Sequence, residues 1–240
     1  MNESFHPTRF KTLRDIQPVP TEWQTIVDEI RSQAHSLATC AYREKLHLLD
    51  ALPATDDNRL QRQQLKMKKD NLKGSQPAFI PSVSLDGGRS SKHVRGYSGF
   101  IMVDIDGILE EQIPTLRQAV GNDPHTFLSY VTLSGRGLRV IAYTKGVTDR
   151  KSFARAWQHV NGHYAKLTQT PIDEKCKNAT RMSAICHDPE AVFRPEATPF
   201  TLPDEATETP QSKRRTKAHT AAPVVRRLVE EAGIIYAPHQ

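Results

Sequence analysis

Between Pro77 and Cys186 the chain contains five short apolar or β-branched runs, AFIPSV, GFIMVDID, TFLSYVTL, LRVIAYT and RMSAIC, each bounded by Gly, Pro, Asp or Ser. Runs of this length with breakers at both ends read as strands. Two windows with helical apolar spacing lie among them: LEEQIPTLRQAV, with Pro114 near its first turn, and DRKSFARAWQHVNGHYAKLTQ. Strands interleaved with helices define an α+β fold around a central sheet.

The flanks differ in texture. Thr21 and Glu22, followed by Trp23, Ile26, Val27 and Ile30, read as a capped amphipathic helix ending near Ser36. YREKLHLLDAL and DNRLQRQQLKMKKDNLKG continue as helices, the second stopped by Gly74. Past Pro203, DEATETPQSKRRTKAHTAAP buries too little apolar surface to offset the entropy of ordering, and reads as a linker before the short helical VVRRLVEEAGIIYAPHQ. The expected organisation is a mainly helical region over 1–74, an α+β core over 75–203, and a linker with a short helix over 204–240.

A hydrophobic share of 37% in 240 residues implies solvated helices beside a compact centre. The formal charge of +6 favours a polyanionic partner such as nucleic acid or nucleotide. Cys40, Cys176 and Cys186 contain no CxxC pair and suit a reducing cytoplasm as small buried thiols. A zinc site built from Cys176, Cys186, His163 and His187 lacks the close ligand pairs such sites use. The polar opening and the lack of a membrane-length apolar run indicate neither signal peptide nor anchor.

The chemistry concentrates at three places. In a strand, Asp104 and Asp106 project to one face about 6.5–7 Å apart, at the end of an otherwise apolar run that a solvent turn does not require. With a third carboxylate such a pair holds two divalent cations about 3.5–4 Å apart. Second, TLSGRGLRVIAY places Ser134, Gly135, Arg136 and Gly137 in a turn, where glycine amides with Arg136 and Arg139 are suited to phosphate oxygens. The same SGRG also serves as a plain hairpin turn. Third, in TPIDEKCKNATRMSAICHDPE, Asp173 precedes a basic loop and Arg181 opens a strand. Asp188 competes with Asp173 for the third carboxylate, although Asp-Pro is also a turn former.

The ordered set VDID, SGRGLR, then Asp173 with a basic loop and Arg181, resembles the catalytic core of the archaeo-eukaryotic primase superfamily, closest to the primase-like N-terminal domain of mobile-element replication proteins and the VirE N-terminal-like group. The resemblance covers roughly residues 65–200. It implies an RRM-like central sheet with a helical N-terminal region, and primase-polymerase activity on a single-stranded DNA template. It further implies Mg²⁺ or Mn²⁺ on Asp104, Asp106 and Asp173, and an NTP or dNTP held by Ser134, Gly135, Arg136, Gly137, Arg139 and Arg181. Arg139 stands where the superfamily usually carries His, and its guanidinium keeps a positive charge at every working pH. Lys69 and Lys73, in RQQLKMKKDNLK, are the template candidates, with SKRRTK as a second basic surface and a helicase as the partner expected after the C-terminus.

Two other function classes compete. VDIDG also resembles the first motif of haloacid-dehalogenase-like phosphatases, but Ile108 replaces the usual Thr and no acidic pair follows SGRG. A non-catalytic nucleic-acid-binding module is the third class, though no RNP-type aromatic strand is visible. Taken as mutually repelling surface carboxylates, Asp104 and Asp106 are each expected to tolerate replacement by Ala without loss of fold.

Overall fold

The computed structural model describes residues 5–171 and 173–202. The chain runs β1 (Thr8–Phe10), β2 (Val19–Pro20), α1 (Trp23–Arg31), α2 (Ser36–Ala51), α3 (Arg59–Gly74), β3 (Ala78–Ile80), β4 (Val83–Leu85) and β5 (Val94–Tyr97). It continues through β6 (Phe100–Asp106), α4 (Ile113–Asn122), β7 (Thr126–Val131), β8 (Gly137–Lys145), α5 (Arg150–Thr168), β9 (Ser183–Ala184), β10 (Val192–Phe193) and β11 (Phe200–Thr201). All five expected strand runs and both helical windows of the core are present, in a mixed fold with antiparallel sheets. The linker, terminal helix and SKRRTK surface expected over 204–240 lie outside the described residues.

The main sheet is organised on β8. On one side β6 pairs with it antiparallel from Phe100↔Tyr143 to Asp106↔Gly137. β7 also pairs antiparallel with β8 and carries β10, while β11 joins the end of β8 in parallel. α5 packs on β6 and α4 on β7. Alternation then divides β6: Ile101, Val103 and Ile105 face one way, Phe100, Met102, Asp104 and Asp106 the other. Trp23 of α1 closes the Phe100 end of that second face, its ring centroid 4.7 Å from Phe100 and 4.9 Å from Phe127. The carboxylates are left at the opposite end of the strand.

α5 forms because Asp149 caps it: its carboxylate accepts from the Ser152 amide at 2.7 Å, and the Ser152 hydroxyl accepts from the Asp149 amide at 3.0 Å. Phe153, Ala156, Trp157, Val160 and Tyr164 then make a buried stripe at helical spacing.

The N-terminal region departs from expectation in two ways. β1 pairs antiparallel with β3, which pairs with β9, so this stretch supplies a strand to a second sheet. Thr21 does not cap α1; its hydroxyl bonds the Val19 carbonyl, and α1 stops at Arg31, short of Ser36. Ser32 intervenes, its hydroxyl accepting from the Ala34 amide to start a separate turn before α2. Ile26, Val27 and Ile30 are fully buried in the same core as the main sheet, so residues before Gly74 are part of the packing unit around the core.

Asp188 belongs to the scaffold. Only 4% exposed, it accepts from the Val131 amide at 2.7 Å and from Arg117 Nη2 at 3.0 and 3.1 Å. Removing it strands a buried amide and half-frees a guanidinium. Asp188→Ala should therefore destabilise the fold by about 3 kcal/mol, lowering the thermal midpoint by roughly 10 °C. Differential scanning calorimetry checks this.

Candidate active site

The register that pairs β6 with β8 sets Asp104 directly across from Arg139. Both side chains are buried, and Arg139 Nη1 lies 3.0 Å from Asp104 Oδ2. Burial opposes the charge on Arg139, but Asp104, Tyr130, Cys176 and Asp106 outweigh it and raise the guanidinium pKa further. Arg139 is thus a permanent cation fixed to Asp104.

The segment after α5 completes the cluster. Arg181 Nη2 stands 3.8 Å from Asp104 Oδ2 and 3.9 Å from Asp173 Oδ2. A short 3-10 turn over Glu174–Lys177 brings Cys176 beneath them, its sulfur 3.7 Å from Arg139 Nη1 and 4.0 Å from Asp173 Oδ2. One ligand atom each from Asp104, Asp173 and Cys176 falls within 4.8 Å of the others. Asp173 therefore meets Asp104 across about seventy residues of sequence, while Asp188 is committed to Arg117 and Val131.

This donor set fits a metal ion on one specific ground. Asp104 Oδ1 is buried and has no hydrogen-bond partner among the described residues, an acceptor that desolvation makes costly unless a cation or donor meets it. Hard divalent ions take carboxylate oxygens, which Asp104 and Asp173 offer. Burial pushes the Cys176 thiol up to about 11, so it stays protonated at neutral pH. Asp106 stands outside that cluster, exposed at the end of β6. Loss of solvent and then the neighbouring Asp104 carboxylate raise its pKa, with Asp173 adding to the shift.

The SGRG turn is built tightly. An ideal Cβ on Gly137 would lie 2.6 Å from the Ile105 carbonyl oxygen and 2.9 Å from Asp106 Oδ1, so only glycine lets the turn approach the acids. Gly135 has φ +74°, and its amide donates to the Thr132 carbonyl. The Arg136 amide donates to the Ser134 hydroxyl. Those two amides are engaged inside the turn. Arg136 itself points to α2, where it pairs with Asp50, and lies 3.8 Å from Glu110.

A cavity of about 690 Å³ opens over this arrangement. Of the residues expected to act, Asp104, Asp106, Ser134, Arg139, Arg181 and Lys73 line it; Asp173, Gly135, Arg136, Gly137 and Lys69 do not. Lys69 is held against α2, its ammonium 5.8 Å from the Tyr42 ring and 3.3 Å from Asp70. Sequence reading missed Tyr42 and Arg89, which also line the cavity, and Arg43, which holds the turn through the Thr132 and Leu133 carbonyls. It also missed that Cys176 would stand beside Asp104 and Asp173; three-residue spacing in DEKC was the available signal. Cys186 donates to the Val131 carbonyl, His187 contacts the Ser32 carbonyl and His163 pairs with Asp123.

Residues 71–193, half of the chain, match the family described as BT4734-like, N-terminal domain. The chain belongs to this family. The matched segment runs from the end of α3 through β10 and so contains all three carboxylates, the glycine turn and Arg181. Among solved structures, the chain is similar to the AEP domain (PP-N190) of the cyanophage S-2L primase-polymerase, with 16% identity and a TM-score of 0.35. That similarity covers 53% of this chain and 66% of the other. No curated protein matches. Among the described residues, no helix is long and apolar enough to cross a membrane.

The geometry corrects one expectation about the acids. Asp104 is no surface carboxylate: truncating it leaves Arg139 charged and buried without its partner, a loss of about 3–5 kcal/mol. Asp104→Ala should therefore lower the thermal midpoint by roughly 10 °C or more. Asp106 behaves oppositely. Because its folded-state pKa is raised, its contribution to stability is present below the ordinary carboxylate range and is lost as pH rises through the folded value. Asp106→Asn should hold or raise the midpoint at pH 7, and the difference from the parent should shrink as the pH falls toward 4. Melting curves of both variants across pH 4–8 test the pair.

Proposed function

We propose that this protein is a metal-dependent nucleotidyltransferase of the primase-polymerase type, joining NTPs or dNTPs on a single-stranded DNA template. One observation carries the reading: Asp104 and Asp173, remote in sequence, bring carboxylate oxygens within 4.8 Å of each other, and the buried Asp104 Oδ1 has no hydrogen-bond partner among the described residues. The resemblance of VDID, SGRGLR and the Asp173 segment to archaeo-eukaryotic primases supports it, as does the excess of positive charge. The antiparallel order β6, β8, β7, β10 with α4 and α5 packed against it is compatible with an RRM-like core.

Asp104, Asp106 and Asp173 would hold Mg²⁺ or Mn²⁺, which suits oxygen donors better than a protonated thiol. Such ions lower the pKa of an attacking 3′-hydroxyl and stabilise charge in an in-line displacement. The protein's own residues fix the donors. Arg139 and Arg181 hold Asp104 Oδ2, while Oδ1 has no hydrogen-bond partner among the described residues. Gly137 lets Asp106 lie against the turn, and Ser134 offers a hydroxyl at the cavity wall. A phosphatase nucleophile in VDIDG would be Asp104, whose burial and pairing with Arg139 oppose attack on a substrate.

Asp106→Asn is the discriminating variant because it spares the buried pair. Primer extension by this variant with Mn²⁺ or Mg²⁺ should fall roughly 100- to 1,000-fold with no loss of thermal midpoint. Extension at the parental rate rejects the mechanism. Template retention without incorporation by the parent protein would assign a binding module instead.

A further inference from the structure

The phosphate-binding residues expected from the sequence are mostly occupied elsewhere. Arg136 pairs with Asp50, Arg139 is fixed on Asp104, and the Gly135 and Arg136 amides close the turn. The cavity nonetheless carries an excess of positive charge: Lys73, Arg89, Arg139 and Arg181 line it against Asp104 and Asp106. Two of these cations, Lys73 and Arg89, pair with no carboxylate among the described residues.

Arg89 is the better placed. It lies in the connection between β4 and β5, half-buried, with Nη1 donating to the Leu13 carbonyl at 2.7 Å and lying 3.1 Å from the Met182 sulfur. Both contacts orient the guanidinium without neutralising it. Met182 follows Arg181, so Arg89 is anchored next to the residue that reaches Asp104 and Asp173. Lys73, in the last turn of α3, is exposed and adds a mobile ammonium to the same cavity. A fixed planar cation beside a flexible point charge is a combination suited to a phosphate chain.

Resting on the nucleotidyl-transfer reading, we infer that Arg89 and Lys73 seat the triphosphate of the incoming nucleotide. A volume near 690 Å³ falls in the range of small-ligand sites, whereas a template backbone tracks an extended groove over several nucleotides. The assignment takes Lys73 from the template and gives it to the nucleotide.

Isothermal titration calorimetry with inorganic triphosphate, and separately with a single-stranded oligonucleotide, tests it on the full chain in Mg²⁺. Arg89→Gln should weaken triphosphate binding about 10- to 100-fold, and Lys73→Gln about 3- to 10-fold. Arg89→Lys should recover part of the loss, and Lys68→Gln, which removes the same charge from exposed α3 surface away from the cavity, should change nothing. Thermal midpoints separate these effects from misfolding; if Arg89→Gln does not fold, Lys73→Gln and Arg89→Lys decide. Unchanged triphosphate affinity in folded Lys73→Gln and Arg89→Lys, or a loss confined to the oligonucleotide, overturns the assignment while leaving nucleotidyl transfer standing. A parent protein that binds neither triphosphate nor oligonucleotide overturns both.

Discussion

The rung between Asp104 and Arg139 organises this protein. It joins β6 to β8, the strand on which the main sheet is organised, at the point where apolar packing gives way to polar chemistry. A buried carboxylate and a buried guanidinium are each costly alone, so the pair fixes strand register as well as charge. Shifting β6 by one residue would turn Asp104 into the opposite face and leave Arg139 unpaired. The same rung engages one oxygen of Asp104, while the other has no hydrogen-bond partner among the described residues.

Around that rung, three separate parts of the chain contribute different properties. The β6–β8 pairing supplies the acids and the close glycine turn. The segment following α5 supplies Asp173, Cys176 and Arg181. The N-terminal half supplies Tyr42, Lys73 and Arg89, and it steadies the turn through Arg43 and the Arg136–Asp50 pair. The helical hairpin of α2 and α3 is therefore part of the cavity, which explains why its exposed basic face and its inward residues have different roles. Lys69 stabilises the hairpin against Tyr42, whereas Lys73, one turn later, reaches the cavity.

Much of this was legible in one dimension because the relevant physics is local. Apolar runs ending at Gly, Pro or Asp mark strands, and the helical apolar spacing of DRKSFARAWQHVNGHYAKLTQ marks α5. The i, i+2 spacing of Asp104 and Asp106 follows from strand geometry alone. The sequence offers both Asp173 and Asp188 as a third carboxylate, and it cannot show that Asp188 holds Val131 and Arg117. Thr21 misled because capping depends on backbone direction as well as residue type, and the chain there is tied back to Val19. Arg136 and Arg139 look equivalent in SGRGLR, yet one is drawn to α2 and the other to β6.

What the sequence determined by itself was the alternation of strands and helices, the pair of acids at a strand end and the glycines that a close turn requires, since all three depend on neighbours within a few residues. Tertiary structure alone decided which cations neutralise those acids and which stay available. That choice depends on Coulomb attraction between groups tens of residues apart, whose separations are set only when β6, β8 and the Arg181 segment pack together.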